Sequence, residues 1–76
     1  MSKTAEKIKS LRLKHKMSLT DLSEKINLSR TLISAWENDY RSLTIEHAIT
    51  LCDVFNIPYV ELISCMIVDV KKEKTA

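Results

Sequence analysis

Apolar residues recur at helical spacing along most of the chain. Ala5, Ile8, Leu11 and then Leu13 or His15 keep near a 3.6-residue period with lysines between them, which predicts a first helix from Thr4 to about His15. Ser18 next offers a hydroxyl N-cap with Asp21 three residues on, and Leu19, Leu22 and Ile26 carry the apolar stripe, so a second helix is expected over about Leu19–Ile26. Asn27-Leu28-Ser29 leaves room only for a tight turn before a second hydroxyl cap, Ser29, opens Arg30–Glu37 with Leu32, Ile33 and Trp36 as its apolar set. A polar loop, Asn38-Asp39-Tyr40-Arg41-Ser42, precedes Thr44, which caps a fourth helix over Ile45–Phe55. There Ile45, Ala48, Ile49, Leu51, Cys52 and Phe55 are expected to face the core.

Pro58 suits the first turn of a fifth helix, where its missing N–H costs nothing, and that helix is expected to run through Ile63. From Ser64 to Val70 apolar residues fall on too many sides for periodicity to choose between a longer helix and a short strand. Residues 1–70 thus form one domain with an apolar segment at 58–70, and 71–76 are expected to be a flexible, frayed tail. The fold class is all-α, five-helical. Two short helices joined by a turn of about three residues, at about 19–37, have the helix-turn-helix outline.

Composition narrows the chemistry. At 76 residues the chain holds a single core, and it has no Gly. Phosphate-cradling loops and dinucleotide fingerprints need that residue for φ > 0 or close backbone approach, so they are excluded. The absence also moves the helix stop signals elsewhere: Asn27, Asn56, and Asn38 or Asp39 are expected at positive φ, because Asn best tolerates the left-handed region. Lys16 is the costly case if it adopts that conformation. Cys52 and Cys65 lack metal-ligand spacing and read as small core residues, and His15 and His47 as surface or partly buried side chains. No metal, no cofactor and no enzymatic activity are expected, since no acid–base pair or nucleophile arrangement is present. Nor is there a membrane span or an apolar leader, which points to the cytoplasm. The net charge of +2 is unevenly spread: residues 1–16 carry +5, 17–41 carry −1, 42–70 carry −4 and 71–76 carry +2. Such asymmetry fits a face that meets a polyanion, although a basic first helix can also be only a solvated surface.

Residues 12–63 resemble the DNA-binding domain of the lambda-repressor and Cro type of helix-turn-helix proteins. The resemblance rests on Met17 to Ile26, on Asn27 to Glu37 with its Ser29 cap, Ile33-Ser34 and Trp36-Glu37, and on Ile57-Pro58-Tyr59-Val60-Glu61-Leu62. Arg41-Ser42-Leu43-Thr44-Ile45 is similar to small controller proteins of restriction-modification systems. The chain departs from the family in having Leu19 where Gln is usual, Lys16, Asn27 and Asp39 where Gly is frequent, and Pro58 for a capping hydroxyl.

The resemblance implies a double-stranded-DNA-binding transcriptional regulator, a repressor or controller protein, acting as a dimer on an operator of two half-sites. Arg30, Thr31, Ser34 and Ala35 are then the base-contacting set, because a recognition helix presents its N-terminal turns to the major groove. Ser18, Thr20, Ser29, Asn38, Tyr40 and Arg41 are the phosphate contacts, although Ser18 and Ser29 are caps with or without DNA. Trp36 beside Ile33 is expected to pack rather than stack on bases. By resemblance Arg12 and Glu37 form a buried ion pair between the first helix and the end of the third. Val60, Ile63, Met66, Ile67, Val68 and Val70 exceed what a small core needs and are expected to pair across a two-fold axis, or else to fold back on their own domain. An antitoxin that binds a partner toxin and its own promoter is the alternative.

Overall fold

Short polar side chains fix where the helices begin. In the computed structural model, which describes residues 1–75, Ser2 accepts from the Ala5 amide at 3.0 Å and starts α1 (Lys3–Lys14). Ser18 and Asp21 close a reciprocal capping box, each accepting from the other's backbone N–H at 3.0 and 2.8 Å, and start α2 (Leu19–Ile26). Ser29 caps α3 (Arg30–Glu37) through the Leu32 amide, and Thr44 caps α4 (Ile45–Phe55) through the His47 amide. The helix ends are equally local. Asn27, Asn56, Asp39 and Lys16 all have positive φ, whereas Asn38 does not, so Asp39 makes the left-handed turn after α3.

The segment that periodicity left open is helical: α5 runs Tyr59–Thr75, with Pro58 immediately before it rather than inside its first turn. Its inward stripe is Leu62, Met66 and Asp69, a helical spacing. Residues 71–75 continue the helix where a frayed tail was expected, and Ala76 lies outside the described residues.

The core gathers Ile8, Leu11, Leu22, Ile26, Ile33, Trp36, Leu43, Ala48, Leu51, Cys52, Phe55 and Leu62. Helix α1 packs on α3 and α5, α2 on α3 and α4, and α4 on α5. Four expected core positions fall outside it. Leu13 is 56% exposed, because α1 turns Ala5, Ile8, Leu11 and Arg12 inward. Ile45 and Ile49 are exposed, since Ala48, Leu51, Cys52 and Phe55 already form the inward stripe of α4. Cys52 is buried, and burial pushes its thiol up, the state of a packing residue; Cys65 is only half-buried. His15, exposed, lies against the Phe55 ring at 5.0 Å, and the half-buried His47 against Trp36 at 5.1 Å.

Two carboxylates far along the chain hold the start of α1. Asp39 accepts from the Ser2 amide and hydroxyl at 2.7 and 2.6 Å, and these bonds hold its carboxyl below the ordinary carboxylate value. Asp69 accepts from the Lys3 and Thr4 amides at 2.9 Å and from the Thr4 hydroxyl at 2.6 Å. Burial opposes the Asp69 charge, yet these bonds still pull its carboxyl down. The loop after α3 and the middle of α5 are thereby joined through one helix terminus, whose unpaired N–H groups favour negative charge.

Candidate nucleic-acid interface

Helices α2 and α3 share a buried seam of Leu22, Ile26 and Ile33, which leaves the opposite side of each in water. On that side Arg30 and Thr31 are exposed in the first turn of α3, with Ser34 and Ala35 half-buried one turn on. Trp36 is 2% exposed and packs in the core, so it offers no face to a base. Ser18, Thr20 and Ser29 are exposed at the first turns of α2 and α3, and Asn38, Tyr40 and Arg41 at the far end of α3.

Hydrogen bonding divides these residues by what they can still do. Ser29 spends only an acceptor on capping and keeps a hydroxyl proton to donate, whereas the Ser18 hydroxyl also serves the Asp21 carboxylate. Asn38 differs: its amide nitrogen donates to the Ser34 carbonyl at 2.8 Å and to the Ser34 hydroxyl at 3.3 Å. These contacts hold the exposed Asn38 amide against the last turn of α3. The Tyr40 and Arg41 amides both donate to the Ala35 carbonyl, which folds the loop back and leaves the Tyr40 side chain 83% exposed. Arg30 Nη1 donates to Thr20 Oγ1 at 3.2 Å, a link across the two helices that no spacing along the chain signals.

Behind this surface Arg12 and Glu37 meet as a two-point pair, Nε to Oε2 at 2.8 Å and Nη2 to Oε1 at 3.0 Å, with Arg12 9% and Glu37 5% exposed. Arg12 Nη1 also donates to the Met17 carbonyl at 2.9 Å, tying the turn before α2 to the same cluster. The bond to Glu37 raises Arg12 still further above its ordinary range. One of the six cations of residues 1–16 is therefore neutralised inside the fold, which leaves the lysines to carry the surface charge. Among the described residues no group of three or more His, Cys, Asp and Glu could hold a metal, and no helix is long and apolar enough to cross a membrane.

A capped pair of short helices with the N-terminal turn of the second exposed is the frame of a DNA-reading module. The family model described as helix-turn-helix matches residues 8–62, and the chain belongs to that family of DNA-binding transcriptional regulators. Among solved structures, the wild-type restriction-modification controller protein C.Esp1396I is similar, at 33% identity and a TM-score of 0.73 over 91% of this chain and 88% of that one. No curated protein sequence matches the chain.

Proposed function

We propose that this regulator binds double-stranded DNA sequence-specifically, as a dimer on an operator with two half-sites about one helical turn apart, in the manner of a repressor or controller protein. The observation that carries the proposal is the exposed first turn of α3, where Arg30 and Thr31 stand on a helix held from behind by Ile33, Trp36 and the Arg12–Glu37 pair. The similarity to a restriction-modification controller protein supports the controller role. In this reading Arg30 clamps guanine O6 and N7, and Thr31, Ser34 and Ala35 complete the base-reading set. Ser18, Thr20, Ser29, Asn38, Tyr40 and Arg41 fix the register on phosphates.

Selection of bound sites from random DNA tests the readout. The parent protein is expected to enrich one motif, and Arg30→Ala to lose about 1–3 kcal/mol of discrimination at a single G·C pair per half-site. Unchanged enrichment by Arg30→Ala contradicts the readout.

The dimer rests on α5. Val60, Ile63 and Ile67 share one outward stripe, and Val60 and Ile67 are 66% and 52% exposed. Val70, 50% exposed, continues that stripe three residues on, Val68 lies to one side of it, and Met66 packs against the core. The face proposed to cross the two-fold axis is thus centred on Val60, Ile63, Ile67 and Val70. Sedimentation at micromolar concentration is expected to give two chains per particle, and Ile67→Glu one chain that still melts cooperatively. A monomeric parent protein removes the dimer from the account.

A further inference from the structure

The contact between Arg30 and Thr20 joins the residue proposed to read a base to one that lies ten positions earlier, on the other helix of the pair. We propose that Thr20 is a positioning residue for the Arg30 readout: its hydroxyl oxygen accepts from Arg30 Nη1 at 3.2 Å and orients the guanidinium before DNA arrives. The inference rests on the reading of Arg30 as a base contact.

Both ends of the link stand on fixed backbone. Thr20 lies inside the first turn of α2, between the two members of the Ser18–Asp21 capping box, and its own carbonyl accepts from the Ser23 hydroxyl at 3.0 Å. The Ser18 amide and hydroxyl lower the Asp21 carboxyl, which favours the charged form that closes the box. Arg30 opens α3 directly after the Ser29 cap, and the buried seam of Leu22, Ile26 and Ile33 sets the distance between the two turns. In a helix Thr is confined to two χ1 rotamers, and the Arg30 bond is made from one of them.

Orientation matters because an exposed arginine samples many rotamers, all but a few of which must be given up when it clamps a guanine edge. A hydroxyl that already holds one nitrogen removes part of that loss. Arg30 has five N–H donors, so one spent on Thr20 leaves enough for a two-donor clamp on guanine, and both contacts coexist. Leu19, the residue before Thr20, is apolar and offers no polar support of its own. Thr20 is the side chain of α2 whose hydrogen bond reaches Arg30.

The test uses the full chain and the operator selected by the parent protein, together with the same operator changed at the G·C pair that Arg30 reads. Thr20→Val keeps the shape and removes the hydroxyl; Thr20→Ser keeps the hydroxyl. The expected result is that Thr20→Val loses about three- to tenfold of the preference between the two operators, the range of a single hydrogen bond. Thr20→Ser retains the preference, and Thr20→Val has no further effect on it in an Arg30→Ala background, with thermal midpoints unchanged throughout. A loss of affinity equal for both operators, with the preference between them intact, leaves the hydroxyl as a phosphate contact alone and overturns the proposal, as does a Thr20→Val protein with full preference or a Thr20→Ser protein without it. If Arg30→Ala itself keeps the preference, the Arg30 readout has failed and the positioning role falls with it. A silent Thr20→Val beside a damaging Arg30→Ala sinks the positioning alone.

Discussion

Arg12→Met is expected to lower folding stability by about 3–5 kcal/mol, the cost of leaving a buried charge without its partner. The loss has two parts. Glu37, 5% exposed, keeps a carboxylate whose two short bonds both came from Arg12, and the Met17 carbonyl loses its donor. Methionine fills the volume and offers neither group a proton. Lys14→Met, on the exposed face of the same helix, is expected to stay within about 0.5 kcal/mol of the parent, so charge removal from α1 is not itself the cause. The double variant Arg12→Met with Glu37→Met should recover most of the loss, because no charge then remains in the low-dielectric site. Urea unfolding of the four proteins checks this, and equal midpoints for Arg12→Met and Lys14→Met would contradict it. DNA affinity is expected to follow the folded fraction, since the pair braces α3 rather than touching the groove.

Leu62→Ala carries the second large effect, about 2–5 kcal/mol, from lost burial and the cavity left behind. Leu62 is 0% exposed and is the one buried residue among those of α5 whose burial is described. Its neighbours on the stripe are Met66, half-buried, and Asp69, whose hydrogen bonds reach the start of α1. Truncating Leu62 therefore loosens the docking of a helix that otherwise holds by polar bonds and partly buried contacts. Because the same helix presents Val60, Ile63 and Ile67, the variant should also lose its dimer at concentrations where the parent keeps it. Lys71→Ala, exposed on α5, is the control. A Leu62→Ala protein as stable as the parent contradicts this mode of docking.

What could be seen in the sequence was what is local. The bounds of α2, α3 and α4 agree with expectation because Ser18, Ser29 and Thr44 each satisfy an amide three residues ahead, and a cap at that spacing is visible along the chain. Positive φ at Asn27 and Asn56 was legible for the same reason: a chain without Gly must close its helices with the next most tolerant residue. Between Asn38 and Asp39 the sequence left the choice open, and the outcome follows from contacts. Asn38 folds its amide back on Ser34, while Asp39 turns out to meet Ser2, 37 residues away.

Long-range contacts account for most of the rest. The α1 start came one residue earlier than expected because Ser2 is fixed by Asp39, and the length of α5 was undecidable because its apolar residues point both inward and outward. Asp69, on the inward stripe, looks misplaced until the N-terminus of α1 is set against it. Of the interface, the exposed residues of the first turn of α3 were identifiable from their place after a cap. The Thr20–Arg30 bond was not, since it depends on how two helices cross.

The central claim is that the α2–α3 surface grips DNA through its phosphates and reads it through α3. The most direct measurement is the affinity of the full chain for its selected operator as a function of salt concentration. The expected log–log slope is several units negative, about −0.9 for each phosphate neutralised, made shallower by about one unit for each phosphate-binding cation removed, as in Arg41→Ala. A slope near zero, or one that Arg41→Ala leaves untouched, overturns the phosphate contacts.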